Sequence, residues 1–242
     1  MTGLETGFVL VHGAALGPWI WDPVVPLLDR PALAVELPGR GARGADLRRV
    51  TLETAVRSTL DDVTALDVDR VVIVGHSLGG VVALAAASRV STRVDALVLV
   101  AAPVPMDGHP FPSVLPPFSR AMLRLVVTTS RNGVGIPRFA ARRALCNDLD
   151  SATTSMVVRR MVREAPRLYR DPVQWSLPAT VPRFYVKTLR DRAGYSPRLQ
   201  DRMMANLGDA QARTVDSGHL PMLSRPRELA AILNDTIPRR VG

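Results

Sequence analysis

Val71-Val72-Ile73-Val74 is a fully apolar, β-branched run, and Gly75-His76-Ser77-Leu78-Gly79 follows it without a spacer. An Ala/Val-rich helical stretch opens at about Leu78 and runs to Arg89. A strand with no polar face must be buried on both sides, as at the centre of a parallel sheet covered by helices. Strand, sharp turn and helix in direct succession define a βα unit, and the flanking glycines let the two elements approach without Cβ clashes. Chance gives about 0.06 G-x-S-x-G pentapeptides in a chain of this composition. The position between strand and helix is what gives the match its weight.

The same alternation extends along the chain. Phe8–Val11, Ala32–Leu37, Ala96–Val100, Phe184–Leu189 and Ala212–Val215 read as further strands. Leu52, Val56, Leu60, Val63 and Leu66 share one helix face behind Thr51, a plausible N-cap. Arg227–Ile237 reads as the closing helix. Between Ala101 and about Pro182 the strand pattern disappears; a proline-rich opening gives way to helical patterns such as Met156–Leu168. That stretch is too long for a simple loop and is expected to be a folded helical insertion above the sheet. The class is α/β, with a mostly parallel sheet flanked by helices.

With 242 residues the chain fits one such domain better than two. The net charge of +9 raises a nucleic-acid or membrane partner, but 30 arginines and the single Lys187 are spread along the whole chain. No run of five like charges occurs, and aromatic residues, at 5%, are too few for base-stacking platforms. Neither partner is expected. Cys146 is the only cysteine, so no internal disulfide forms, and an inert buried thiol is expected. No basic segment precedes the short apolar run Phe8–Val11, and no apolar stretch reaches membrane-spanning length. The expected location is the cytoplasm.

Ser77 is the candidate nucleophile: the turn strains its backbone, and the helix N-terminus beneath offers partial positive charge to a developing oxyanion. A serine hydroxyl needs a positioned base. Of the four histidines, His76 adjoins Ser77 and should point elsewhere. His12 sits in a His-Gly dipeptide whose following amides suit oxyanion binding, and His109 lies in the insertion. His219 follows the last strand and is the base by position and elimination. The acid should follow a strand between serine and histidine. Asp191, two residues beyond Phe184–Leu189, fits that requirement; Asp107 is the runner-up and Asp201 the third choice. Asp216 is too close to His219 to reach around it.

These features resemble the α/β-hydrolase superfamily over essentially the full length. Phe8-Val-Leu-Val-His-Gly-Ala14 with Gly17-Pro-Trp-Ile-Trp21, Val104-Pro-Met-Asp107 and Ser217-Gly-His-Leu-Pro-Met-Leu-Ser-Arg-Pro226 are similar to one branch. It comprises plant methylesterases, the related hydroxynitrile lyases and bacterial pyrethroid-hydrolase-like esterases. The resemblance implies a six-stranded core sheet from residues 1–105 and 181–242, a helical cap over 106–180, and neither cofactor nor metal. It also implies an oxyanion hole from the backbone amides of Ala14 and Leu78. The plant lyases carry threonine where Gly13 stands and lysine where Leu220 stands; without a cation to stabilise cyanide, the lyase reading loses its support.

A serine esterase forming an acyl-enzyme on a small, moderately hydrophobic ester is the expected function. Thioesterase or lactonase activity, a non-hydrolytic catalyst and a ligand-binding protein remain alternatives. Trp19, Phe118 and Met122 are candidate pocket residues, with Phe111, Leu115, Leu123, Leu125, Met156, Met161 and Trp21 as further candidates; the lid arginines are expected on outer faces, with an inward Arg120 or Arg124 as the competing idea. Oligomeric state stays open, a homodimer included.

Overall fold

The computed structural model describes residues 5–130 and 132–237. Six strands build a parallel sheet: β1 (Thr6–Val11), β2 (Ala32–Ala34), β3 (Arg70–His76), β4 (Val94–Val100), β7 (Arg183–Thr188) and β8 (Ala210–Val215). Their order is β2-β1-β3-β4-β7-β8, and every neighbouring pair is parallel. Two further short strands, β5 (His109–Pro110) and β6 (Pro172–Val173), form a separate antiparallel pair. The helices in chain order are α1 (Leu52–Ala65), α2 (Gly79–Arg89), α3 (Pro117–Thr129), α4 (Arg138–Ala140), α5 (Ser151–Arg160), α6 (Pro166–Arg170), α7 (Pro197–Asn206), α8 (Pro221–Ser224) and α9 (Pro226–Asp235).

The two-residue period of the strands sorts their side chains onto two cores. Val9, Val11, Val71, Ile73, Leu97 and Leu99 face a cluster that α1 and α2 complete. Phe8, Leu10, Val72, Val74, Ala96 and Val98 face the other, completed by Trp21, Val157 and α9 residues Leu229 and Leu233. Val71 to Val74 are wholly inaccessible, and burying each contributes about 1.5–3 kcal/mol. The central position read from that run is the observed one.

Local signals set the boundaries. The Thr51 side chain accepts from the Thr54 amide and the Thr54 side chain accepts from the Thr51 amide, a capping box at the start of α1. The strand expected over Ala32–Leu37 ends at Ala34, although the Val35 amide still donates to the Leu10 carbonyl at 2.9 Å. The Met156–Leu168 pattern is not one helix. α5 stops at Arg160, where Met161 is already extended (φ −62°, ψ 139°), and Pro166 holds Ala165 out of helical geometry (φ −64°, ψ 124°) and starts α6 afresh. The intervening residues extend, and Glu164 pairs with Val134 across an isolated bridge.

Among the described residues no helix is long and apolar enough to cross a membrane. Nor, among them, do three or more His, Cys, Asp or Glu side chains gather as a metal site.

Candidate active site

β3 delivers Ser77 to the C-terminal edge of the sheet, and α2 starts two residues later. Ser77 has φ +49°, a left-handed conformation that costs a non-glycine residue about 1–3 kcal/mol. Its amide donates to the Val100 carbonyl at 3.1 Å and its carbonyl accepts from Gly80 at 2.8 Å, so both neighbouring elements hold the turn. Gly79 is required by close approach: a Cβ there would lie 2.3 Å from the His12 carbonyl oxygen. A Cβ on Gly13 would lie 2.9 Å from the Ser77 Cβ, so a threonine at this position would press on the serine.

β7 and β8 run side by side, and the loops beyond them bring Asp191 and His219 to the same place. The Ser77 hydroxyl lies 2.9 Å from His219 Nε2, and His219 Nδ1 lies 2.6 Å from Asp191 Oδ2. Asp191 Oδ2 also accepts from the Thr188 hydroxyl at 3.1 Å, and its Oδ1 accepts from the Ala193 amide at 2.7 Å. Burial pushes this carboxyl up, but the His219 charge and hydrogen bond, with the Ala193 and Thr188 donors, outweigh it. The net position is below the ordinary carboxylate range. The other aspartates are engaged elsewhere. Asp107 accepts from the Trp175 amide at 2.8 Å, Asp201 pairs with Lys187, and Asp216 pairs with Arg190 at 2.9 Å. His109 is exposed, and Cys146 is buried, its thiol pushed up to about 11 chiefly by that burial.

His76 points away from the serine, and the position has a use that local sequence did not reveal. Its Nε2–H donates to the His219 carbonyl at 2.9 Å, and the two rings pack at 4.9 Å. Tyr195 packs its ring 5.5 Å from His219 on the opposite loop, with its hydroxyl interacting with Ser77. Only its place four residues after Asp191 pointed to it in the sequence.

A cavity of about 410 Å³ opens on Ser77 and His219. Ala14 and Leu78 line it, as do Phe111, Leu115, Leu123, Leu145, Tyr169 and Tyr195. Among the described residues no hydrogen bond uses the Ala14 or Leu78 amide. Three pocket expectations are corrected. α3 turns Ser119, Leu123 and Val126 toward the cavity, so Phe118 and Met122 project into solvent. Trp19 lies in a separate cleft, its ring 4.7 Å beneath the Arg160 guanidinium. Among the described residues no arginine lines the cavity: Arg120 donates to the carbonyls of Ser113 and Leu115 at 2.7 and 3.0 Å, and Arg124 is exposed.

The loop carrying Ala14 is clamped from below. Ala15, at φ +61°, donates its amide to Glu164 Oε2 at 3.1 Å and accepts from the Val162 amide at 3.0 Å. The same Glu164 oxygen receives Arg40 at 2.6 Å, and both partners are buried. Beside them His12 donates from Nδ1 to the Gly13 carbonyl at 2.9 Å. Burial, then the Arg40 cation, lower its pKa from 6.5 to about 3. Below pH 6.5 the unfolded chain takes up a proton that folded His12 refuses. Its contribution to stability is therefore whole above pH 6.5 and is lost progressively as pH falls toward 3. We expect denaturant unfolding to show a loss of roughly 2 kcal/mol between pH 7 and pH 5 from this group. His76, also held neutral by burial, adds in the same direction. Equal stability at the two pH values would contradict this.

The chain belongs to the alpha/beta hydrolase family, which it matches over residues 8–232. It is 28% identical to Salicylic acid-binding protein 2 of Nicotiana tabacum, covering 93% of this chain and 95% of that protein. It is also 28% identical to Esterase PIR7B of Oryza sativa subsp. japonica, covering 93% of each. An extracellular alpha/beta-hydrolase from a Paenibacillus species shares the fold with a TM-score of 0.87 at 20% identity, covering 97% of this chain and 100% of that one. The chain spans 56% to 70% of the length of longer Arabidopsis thaliana relatives.

Proposed function

We propose that this protein is a serine esterase that hydrolyses a small, uncharged, moderately hydrophobic carboxylic ester, with residues 106–180 acting as a cap over the site. Ester hydrolysis as a class is supported by family membership and by the esterase among the full-length relatives. The observation that carries the finer reading is the hydrogen-bonded chain Asp191–His219–Ser77 opening onto an apolar cavity.

In this reading His219 Nε2 takes the hydroxyl proton as Ser77 Oγ attacks the ester carbonyl carbon. The carbonyl oxygen becomes an oxyanion that accepts from the Ala14 and Leu78 amides. Collapse breaks the C–O bond, the His219 proton goes to the leaving alkoxide, and an acyl group stays on Ser77. Water, deprotonated by His219, then attacks that acyl carbon; the second collapse breaks the acyl–Ser77 Oγ bond, His219 returns the proton to Oγ, and the acid leaves. Asp191, held ionised, keeps the Nδ1–H tautomer and stabilises the imidazolium.

The cavity volume lies in the range of small-molecule pockets, roughly 300–1,000 Å³. Its lining holds serine and tyrosine hydroxyls and His219 as polar groups, with no Asp, Glu, Lys or Arg among the described residues. A substrate carboxylate would enter without a countercharge. The test compares kcat/KM for a neutral methyl ester and its carboxylate-bearing analogue. A preference of roughly 10²-fold for the neutral ester is expected. A preference for the anionic ester, abolished by replacing Arg120 or Arg124, would overturn the reading.

A further inference from the structure

From Gly108 to Asn147 the chain carries no aspartate or glutamate and six arginines, at positions 120, 124, 131, 138, 142 and 143. This stretch contributes most of the net charge of +9. It also exposes large apolar side chains. On α3, Phe118 is 78%, Leu125 59% and Met122 47% accessible, and their spacing of four, three and seven sets them on one helix face. Phe139, next to Arg138 on α4, is 76% accessible. Among the described residues, Arg124, Arg138, Arg142 and Arg143 make no ion pair. α3 borders the cavity, and α4 follows its wall directly. α3 contributes Ser119, Leu123 and Val126 to its wall, and Ile136 and Pro137 lead directly into α4.

An apolar patch rimmed by unpaired cations fits a partner that is apolar and anionic at once. A second copy meeting the same face would set these arginines against their own counterparts, with no acidic residue between. We propose that the α3–α4 face docks on an anionic lipid surface, with Phe118, Met122, Leu125 and Phe139 entering the headgroup region and the arginines meeting lipid phosphates. This departs from the expectation, drawn from arginines scattered in sequence, of no membrane partner: Arg124 and Arg138 directly follow Leu123 and Pro137, two residues of the cavity wall. On the esterase reading, docking aims the cavity mouth at esters dissolved in the lipid. The docking itself is read independently of activity.

The test is sedimentation of the full chain with vesicles of phosphatidylcholine alone or mixed with phosphatidylglycerol, at low and at high salt. Each arginine at an anionic surface raises partitioning on the order of fivefold, so at least a tenfold preference for the mixed vesicles at low salt is expected. A Phe118→Ser/Leu125→Ser variant should lose roughly tenfold in binding and an Arg138→Gln/Arg142→Gln/Arg143→Gln variant roughly a hundredfold, each with unchanged Tm. Several results would overturn the proposal. One is no binding to the mixed vesicles. Another is unimpaired binding by the Phe118/Leu125 variant, which would mean attraction to the whole cationic molecule. A third is a dimer, seen by analytical ultracentrifugation, that this variant dissociates. Retention on polyglutamate but not on vesicles would likewise assign the face to an acidic polypeptide.

Discussion

Replacing Ser77 with alanine is expected to lower kcat toward a neutral ester by roughly 10⁴–10⁶ while leaving Tm nearly unchanged. The hydroxyl is the only group the change removes, and its hydrogen bond to His219 is worth about 1 kcal/mol. The left-handed backbone at this position is equally strained for alanine, so folding sees little difference. Catalysis loses the nucleophile and falls back on whatever oxyanion binding and substrate orientation provide. Stopped or steady-state assays with a chromogenic ester measure the drop. An alanine variant of parental activity would show that the reacting atom lies elsewhere.

Asp191→Asn is expected to cost on the order of 10⁴ in kcat, again with a folded protein. The carboxylate is fully enclosed and every contact it makes comes from a donor: His219 Nδ1, the Thr188 hydroxyl and the Ala193 amide. An amide cannot serve them all. If its nitrogen faces His219, the imidazole must carry its proton on Nε2, where it can no longer take one from Ser77. If its oxygen faces His219, the amide nitrogen meets the Ala193 N–H, donor against donor. Asp107→Asn is the control, since that side chain serves the Trp175 amide far along the chain. A damaging Asp107→Asn beside a mild Asp191→Asn would move the acid to the earlier strand.

Much of this arrangement could be read from the chain because it is set by local rules. A four-residue β-branched run has one place in a parallel sheet, and a G-x-S-x-G directly behind it has one conformation. The parallel topology then carries the loops after β7 and β8 to the same edge, which is why Asp191 and His219 meet Ser77. What stayed hidden depends on which neighbour covers a side chain. α3 is apolar around much of its circumference, so its pattern did not fix its phase: Phe118, Met122, Leu123 and Leu125 were all candidates for the pocket, and of these Leu123 lies in its wall, with Ser119 beside it. Trp19 was drawn toward the cavity by proximity in sequence, whereas Arg160, from a distant helix, decides where its ring lies. The Arg40–Glu164 pair joins residues 124 positions apart, and no spacing rule announces such a contact. Tyr195 and His76 belong to the same class: their importance lies in what they pack against.

The central claim is that Ser77 is an activated nucleophile, and labelling with a serine-directed organophosphate tests it most directly. Intact-mass and peptide mapping should show one adduct, on Ser77, with ester turnover lost in proportion to labelling, and no adduct in the Ser77→Ala protein. A chain that stays unlabelled, or that carries its adduct on another residue while Ser77 is untouched, would contradict the account.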